Sequence, residues 1–522
     1  MALMFLTIIA GAAAGMSLLV PYMWFLGILG CAGFAYTLYR HPRPTNGRMF
    51  VHGWLFGIAY SGVAMSWWWS TIPLDWLGIS STTLAVAFLL VYWGSVTAFL
   101  GSFFGAFVVA FASIKRDTWH DAILAASLWT LMQYVQMWGF ATLTAGGGSV
   151  FDAHFSSTMV GYSLASFSPL LQLASLGGIY LLTFVAVGLG FFVYFAFARA
   201  RTSRITRYGI PVAVVLVIVA GVVDRTYFLA DIIPGETTHT VTIGLVNTWD
   251  PGLPRDPEEW IERNRETTRS LVRAQVASGG GLDIIVMPES IGLTIDRDSA
   301  YDIRSVSDTA AIIDTGIVHG DMRFKRMFFY DAGILRGVYD KIFLVPQGEY
   351  SPWLYDKVIG GIVGKELKSH LQSKLWYFEH GDGLRPVVLR GVAVGSLFCF
   401  DVLSPKLYRS LAKDGATVLI NASSHSWFHR SRLGDDGVLA ISKVRAVESR
   451  RYLAIAGNEV PSSVISDRGR VVARTRVGDE TILVADVPVR TAVTPYVRFG
   501  ESAVLVPAAV LVFFAWRRRH IV

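Results

Sequence analysis

The sequence has few cysteines and few charged residues, and both shortages restrict the kind of protein it encodes. Only two of its 522 residues are cysteine, Cys31 and Cys399, so a disulfide framework is excluded. No cluster of His and Cys residues has the spacing of a zinc site. Charged residues make up 16% of the chain, below the roughly 25% of soluble globular domains. The composition therefore predicts a protein that lies at least partly in a membrane.

Hydrophobic residues form 53% of the chain and cluster into eight apolar runs. Most of the runs reach the ~20 residues that a membrane-spanning helix needs. The runs cover residues 3–20, 22–39, 49–70, 84–113, 119–139, 170–198, 208–229 and 502–516. We therefore predict a polytopic α-helical membrane domain over residues 1–230 with seven spans, and an eighth span with a basic tail over residues 501–522.

The basic residues predict the orientation of these spans. A net charge of +7 is compatible with a nucleic-acid partner, but Lys and Arg cluster after the second, fourth, sixth and eighth runs. The loops 71–83 and 140–169 contain neither residue. By the positive-inside rule, both termini are cytoplasmic and residues 231–500 lie on the outer side. We expect no nucleic-acid partner.

Residues 231–500 have the pattern of an α/β domain. Charged residues become frequent there, and short runs rich in β-branched residues alternate with amphipathic segments. Residues 257–277 predict a helix. Strands are predicted at 240–246, 282–287, 390–398, 416–421, 452–456 and 481–487. Strands that alternate with helices indicate a layered α/β fold.

Three reactive side chains stand at or near the ends of apolar strands in this domain: Glu289, Lys341 and Cys399. Strand ends are where α/β sheets place their sites. A thiol nucleophile, a carboxylate base and an ammonium group for the oxyanion are together sufficient for acyl transfer. Each residue alone has an ordinary alternative, since Glu and Lys often form surface ion pairs and Cys often packs as a small hydrophobic residue.

The segments around these residues resemble the nitrilase superfamily, whose Glu-Lys-Cys triad has the same order along the chain. Tyr339–Tyr350 is similar to the Y-x-K-x-H-L-V-P-F-G-E-Y signature of the apolipoprotein N-acyltransferase family. Other similar segments are 53–57, 161–163, 177–180, 421–428 and 445–448. The resemblance covers nearly the whole chain, and it implies that the outer domain has the αββα sandwich of nitrilases.

The resemblance implies a reaction in two steps at the bacterial inner membrane, with the catalytic domain on the periplasmic side. Cys399 accepts a fatty acyl chain from a phospholipid as a thioester and passes it to the amino group of a diacylglyceryl-cysteine lipoprotein. Glu289 is the implied base, Lys341 supports the tetrahedral intermediate, and Glu349 is the second carboxylate of the family. No metal or organic cofactor is required.

We further expect three aromatic residues, Trp427, Phe400 and Tyr350, to bind substrate. Other aromatic and charged residues have simpler interpretations. Residues 67–69, three consecutive tryptophans, are typical of anchors at the membrane interface. We interpret His425 as a solvated loop residue and the 445/448 Arg–Glu pair as a surface ion pair on a helix.

Several residues depart from the pattern of the family near the site. Phe343 and Gln347 replace a His and a Phe of the signature, and Phe400 and Asp401 replace a Tyr and a Glu. In addition, Ser424-His425 stands where the family has Asn-Asp. These departures leave two alternatives open. One is a nitrilase-like amidase or acyltransferase with another acceptor, such as a paralogue that serves conjugal transfer, and the other is a membrane scaffold without turnover.

Overall fold

The structure is a computed structural model of the chain. It describes residues 1–40, 45–74, 77, 79–199, 237–249, 257–278, 281–293, 310–319, 322–362, 377–429 and 431–519. The predicted span 208–229 and the boundary predicted near residue 230 lie outside the described residues.

Long helices form at the other seven apolar runs. They are α1 (Ala2–Leu19), α2 (Trp24–Arg40), α3 (Asn46–Ala64), α4 (Thr82–Ile114), α5 (His120–Leu143), α7 (Ala174–Arg199) and α13 (Leu505–Arg519). The short helix α6 (Ser168–Leu171) precedes α7. In the described part of the chain, four stretches are long and apolar enough to cross a membrane: Ala2–Leu19, Thr82–Ile114, Ala174–Ala198 and Pro495–Trp516. The chain is a membrane protein, while the count of eight spans and their orientation stay predictions.

Small residues allow the helices of the membrane part to pack closely. A Cβ atom on Gly11 of α1 would lie 2.4 Å from the Phe56 carbonyl oxygen of α3. Similarly, a Cβ on Gly53 of α3 would lie 2.3 Å from the Phe104 carbonyl oxygen of α4. Glycine at these positions lets the helix backbones touch, as is common where helices associate in a bilayer.

Two six-stranded sheets form the second part of the molecule. The first has the order β12-β1-β2-β3-β4-β5 and the second the order β11-β10-β9-β8-β7-β6. In each sheet three central strands are parallel and the outer strands are antiparallel. The strands of the first sheet are β1 (Thr237–Asn247), β2 (Ile284–Val286), β3 (Ala311–His319), β4 (Arg323–Asp331), β5 (Ile334–Asp340) and β12 (Thr481–Arg490). Those of the second are β6 (Val387–Leu389), β7 (Val392–Phe398), β8 (Val418–Ser424), β9 (Leu453–Asn458), β10 (Ser463–Ile465) and β11 (Val471–Arg474).

The two sheets face each other, and helices cover their outer faces. Ile284 of β2 belongs to the same buried core as Leu397 of β7, whereas its neighbour Ile285 packs in a second core with Val272. Such alternation is expected when both faces of a strand are covered. The helices of this domain are α8 (Pro257–Ala277), α9 (Trp353–Ile362), α10 (Pro405–Lys413), α11 (Arg432–Ser449) and α12 (Pro495–Phe499).

A buried network on α11 joins the sheet domain to the membrane helices. Arg445 is 0% exposed, and its guanidinium donates to the Val402 carbonyl oxygen at 3.0 Å, to the Tyr162 hydroxyl and to the Glu448 carboxylate. Glu448 in turn accepts from the backbone N–H of Ile179 in α7 at 2.8 Å. The interpretation of this pair as a surface ion pair was wrong, because the membrane helices cover this face of α11.

The predicted fold class is confirmed: a helical membrane part and a sandwich of two sheets between helices. The predicted helix 257–277 is present, and each of the six predicted strand segments contains a strand. The parallel strand β3 and the outer strands β4, β5, β6, β10 and β11 were not predicted. The boundaries proposed for the domains stay predictions.

Candidate active site

Four buried charged side chains meet at the ends of strands in the first sheet. We call this group the charged cluster. Its members are Glu289, Lys325, Lys341 and Glu349, with exposures of 2%, 7%, 1% and 2%. Lys341 Nζ donates to Glu289 Oε1 at 3.0 Å and to Glu349 Oε1 at 2.8 Å. Sequence analysis selected the two carboxylates and Lys341, and the structure brings all three into contact.

Lys325 is the member of the charged cluster that sequence analysis missed. Its Nζ lies 3.0 Å from Glu289 Oε1 and 2.5 Å from Glu349 Oε1, so it contacts the same two oxygens as Lys341. Lys325 projects from β4 on the face that also buries Met327 and Phe329. A lysine on the apolar face of an alternating strand was the signal available in the sequence, because lysine is rarely buried without a partner.

The cluster contains two carboxylates and two ammonium groups, and their charges stabilise one another. Burial raises the pKa of Glu349, but the two lysines outweigh burial and hold this pKa at about 2. Burial lowers the pKa of Lys341, but the charges of Glu289 and Glu349 outweigh it and raise this pKa above its ordinary value. Lys341 is therefore an ammonium group at neutral pH, as stabilisation of an oxyanion requires.

Cys399 approaches the charged cluster from the second sheet. It follows β7 and begins a short 3-10 turn, Cys399–Leu403, and its side chain is partly exposed. The thiol donates to the Ser424 carbonyl oxygen at 3.5 Å. A thiolate at Cys399 is close enough to Lys341 for its charge to contribute to the raised pKa of that lysine. The facing sheets thus bring together the three residues that we proposed as a triad.

Asp401 fixes the turn that carries Cys399 to the loop that carries Lys341. One carboxylate oxygen accepts from the Phe343 backbone N–H at 2.9 Å, and the other accepts from the Tyr339 hydroxyl at 2.8 Å. Burial raises the pKa of Asp401, whereas the charge of Lys341 and these hydrogen bonds lower it. Burial has the larger effect, and the pKa is about 6. The shorter acid at this departure from the family pattern thus holds the two segments together.

His425 is the second residue that sequence analysis misjudged. Its ring is 2% exposed, and Nδ1 lies 2.6 Å from Oδ1 of Asp435, the first-turn acid of α11. The interpretation of His425 as a solvated loop residue was wrong, because α11 covers the loop. Burial lowers the pKa of His425, but hydrogen bonds with Asp435 and Cys399 outweigh burial and raise this pKa to about 10.

Two apolar clefts lie next to Cys399, between the sheet domain and the membrane helices. The Cys399 cleft has an empty volume of about 720 Å³ and is lined by Cys399, His425 and residues of α1, α3 and α11. The Trp68 cleft has an empty volume of about 790 Å³ and extends to Phe88 and Tyr92 of α4. Both clefts share three aromatic residues, Trp67, Phe400 and Phe428.

The three residues that we predicted to bind substrate lie in different places relative to the clefts. Phe400 lines both clefts, as expected for a residue that contacts an acyl chain. Tyr350 is buried elsewhere, where its hydroxyl donates to the Thr144 carbonyl oxygen at 2.7 Å. The side chain of Trp427 lies outside the described part of the structure. Trp67 and Trp68, which we interpreted as anchors at the membrane interface, also line the Trp68 cleft.

Two departures from the family pattern lie between the lysine loop and the membrane part. Phe343 stacks on His154, with the ring centroids 4.2 Å apart, and Gln347 lines the Trp68 cleft. Across the described ranges, no three His, Cys, Asp or Glu side chains group as metal ligands would. The expectation that the protein needs no cofactor stays a prediction.

Two family models match the chain, one in each half. Residues 10–192 match the apolipoprotein N-acyltransferase N-terminal domain, and residues 258–496 match the carbon-nitrogen hydrolase domain. The apolipoprotein N-acyltransferase of Geobacter metallireducens is 25% identical over 530 residues, which cover 94% of this chain and 92% of that protein. The apolipoprotein N-acyltransferase of Pseudomonas putida is 25% identical over 546 residues, covering 98% and 95%. Among solved structures, a carbon-nitrogen hydrolase from Helicobacter pylori G27 is similar at 15% identity and a TM-score of 0.37, covering 54% of this chain and 95% of that chain.

Proposed function

This chain belongs to the apolipoprotein N-acyltransferase family of the nitrilase superfamily, and on that basis we propose that it transfers a fatty acyl chain from a phospholipid to a lipoprotein. The acceptor is the N-terminal amino group of a diacylglyceryl-cysteine. The observation that carries the proposal is the near-full-length match to apolipoprotein N-acyltransferases, in a chain whose partly exposed thiol lines an apolar cleft. Apolar walls are what an acyl chain requires.

We assign the first half-reaction to Cys399, Glu289 and Lys341. Glu289 takes the proton of the thiol, and the sulfur attacks the ester carbonyl of the phospholipid. The ammonium group of Lys341, held by two carboxylates, stabilises the oxyanion that forms. The C–O bond then breaks, and the departing lysophospholipid alkoxide takes the proton from Glu289. The product is an acyl thioester on Cys399.

The second half-reaction transfers the acyl group to the amine. The amino nitrogen attacks the thioester carbonyl, and Glu289 accepts the proton of the amine. The C–S bond then breaks and releases the thiolate. Glu289 returns the proton to the sulfur, which restores the thiol. Dividing the reaction at a thioester replaces one difficult step with two easier ones. Lys325 holds Glu289 in place and Glu349 holds Lys341, and these two supporting side chains are themselves paired.

The clefts support lipid substrates for this site. Their walls come both from the sheet domain, through Phe400 and Phe428, and from the membrane helices, through Trp67 and Trp68. A lipid that leaves the bilayer along these helices would therefore meet Cys399 with its acyl chain in an apolar cleft. We place the protein in the bacterial inner membrane, with the sheet domain on the periplasmic side and both termini in the cytoplasm.

Purified protein in phospholipid micelles, mixed with a diacylated lipopeptide, tests the proposal. We expect the wild type to add one acyl chain to the lipopeptide, as read by mass spectrometry, and to rescue a strain that lacks its lipoprotein acyltransferase. Cys399→Ala should do neither, whereas Cys31→Ala should do both, because Cys31 is buried in α2. A folded wild type that leaves the lipopeptide unchanged but hydrolyses small amides would overturn the proposal in favour of an amidase.

A further inference from the structure

A buried histidine and a buried aspartate form a pair beside the thiol, outside the Glu-Lys-Cys triad. Nδ1 of His425 and Oδ1 of Asp435 are 2.6 Å apart, and the two side chains are only 2% and 9% exposed. They come from separate elements: His425 directly follows β8, and Asp435 lies in the first turn of α11. A buried acid that hydrogen-bonds one ring nitrogen fixes the orientation of the ring and favours its protonated form.

The pair lies within reach of the reacting sulfur. The thiol of Cys399 donates to the carbonyl oxygen of Ser424, the residue before His425, and both Cys399 and His425 line the Cys399 cleft. Burial lowers the pKa of His425, but Asp435 and the neighbouring Cys399 outweigh burial and raise this pKa to about 10. The ring is therefore an imidazolium at neutral pH.

Titratable groups act on the sulfur from several elements. Lys341 comes from the loop after β5, His425 from the end of β8, and the Tyr408 hydroxyl from α10, where it accepts a hydrogen bond from Asn421. Two of these groups are cations at neutral pH. Lys341, however, is shared with two carboxylates, whereas Asp435 occupies Nδ1 alone of the two His425 ring nitrogens.

We propose that His425, held by Asp435, is a further active-site residue whose protonated ring stabilises the Cys399 thiolate in both half-reactions. The inference rests on the proposed function insofar as Cys399 is the nucleophile. The ring keeps its proton throughout: the proton of the thiol still goes to Glu289, and the imidazolium faces the sulfur when the C–S bond of the thioester breaks. His425 stands where the resembling family element has an aspartate, so this arrangement belongs to the departures of this chain.

The pH dependence of thiol alkylation tests the proposal without any lipid substrate. The probe is iodoacetamide, and the readout is the intact mass of the full-length protein in a Cys31→Ala background. We expect His425→Asn to slow alkylation of Cys399 at pH 7 by about tenfold or more, because an adjacent cation lowers the pKa of a thiol. Above the pKa of the thiol, the rates of the two proteins should converge.

His429→Asn is the matched control. This neighbouring histidine lies in a left-handed backbone conformation, with φ of 41°, that asparagine tolerates. Its alkylation profile should equal that of the wild type. Asp435→Asn keeps the imidazole but removes the charge of its partner, so it should shift the profile in the same direction by less.

If His425→Asn folds and its alkylation profile coincides with that of the wild type, the proposal is overturned. If His425→Asn fails to fold, a coincident profile for Asp435→Asn overturns it. A shifted profile in a protein that acylates no lipopeptide would uphold the thiolate pairing and refute only the proposed function. The two failures are therefore distinguishable.

Discussion

At the scale of single residues, the charge states in the charged cluster depend on one another. Two carboxylates and two ammonium groups are buried where water cannot solvate them, so each needs its neighbours to remain ionised. Removing one partner of a buried pair leaves an uncompensated charge, which typically costs about 3–5 kcal/mol. Catalysis by Lys341 and Glu289 should therefore depend on Lys325, although Lys325 is not assigned to either bond-forming step.

Lys325→Met tests this dependence, since it keeps the approximate length of the side chain and removes its charge. We expect the rate constant for thioester formation to fall by about 100-fold, because Glu289 loses one of its two partners and shifts relative to Cys399. The apparent KM for phospholipid should change little, as the clefts have other walls. Lys413→Met, at an exposed position on α10, is the control. A folded Lys325→Met protein with the wild-type rate would contradict this role.

Glu349→Gln should change how the free energy of unfolding depends on pH below about 4.5. The pKa of Glu349 is about 2 in the folded protein, against 4.5 for an ordinary glutamate, so its stabilisation is present above pH 4.5 and is lost as the pH falls towards 2. Over that interval the wild type should lose about 3 kcal/mol more of its free energy of unfolding than the variant. Unfolding in one detergent at a series of pH values measures the difference. Parallel curves would show that Glu349 is not paired as described.

Only part of the site was predictable from the sequence. Glu289, Lys341 and Cys399 were found because they stand at strand ends in an order that resembles a known triad. Lys325 and His425 were missed because their roles depend on contacts between segments far apart in the chain. The position of Lys325 on an apolar strand face indicated a buried partner, but Glu289 is 36 residues away and no local pattern identifies it.

At the scale of elements, α11 is the helix that connects the two parts of the molecule. It covers the second sheet, places Asp435 against His425, and carries the Arg445–Glu448 pair that contacts α7. The same region of α7 packs against α12, where Gly178 has φ of 63° and a Cβ would lie 2.3 Å from the Tyr496 ring. The position of the Cys399 turn relative to the membrane helices therefore depends on α11, since Arg445 also binds the Val402 carbonyl in that turn.

Glu448→Gln should destabilise the protein strongly, because it leaves the guanidinium of Arg445 buried without its acidic partner. We expect a loss of about 3 kcal/mol or more in the free energy of unfolding, measured in detergent. Glu259→Gln on α8 is the matched control: Glu259 also pairs with an arginine on its own helix, Arg263, but both side chains are more than half exposed. That change should cost less than about 0.5 kcal/mol. Equal effects would contradict the buried network.

The strands that were predicted are those with a clear apolar or β-branched run, and burial alone was not sufficient, since the buried β3 was missed. Strands β1, β2, β7, β8 and β9 contain apolar runs that the sequence reveals, because helices and the facing sheet cover both sides of them. Among the antiparallel strands, β12 was predicted, but the others are harder to recognise. Residues 323–331 mix four aromatic and three basic side chains, so charged residues fall on both faces of this strand.

At the scale of the whole molecule, the membrane helices and the sheet domain enclose the clefts together. The acid and ammonium groups come from the first sheet, the thiol from the second, and much of the apolar lining from α1, α3 and α4. A nitrilase-like domain alone would lack these walls. The sequence predicted both parts, but it did not show that Trp67 lines the same cleft as the thiol, because that placement depends on how the parts pack.

The central claim is that Cys399 carries the acyl chain, and the intact mass of the protein after incubation with phospholipid tests it most directly. We predict an adduct of one acyl chain on the wild type and on Cys31→Ala, none on Cys399→Ala, and removal of the adduct by hydroxylamine and by a diacylated lipopeptide. An adduct that persists on Cys399→Ala, or folded wild-type protein that acquires no adduct at all, would contradict the account.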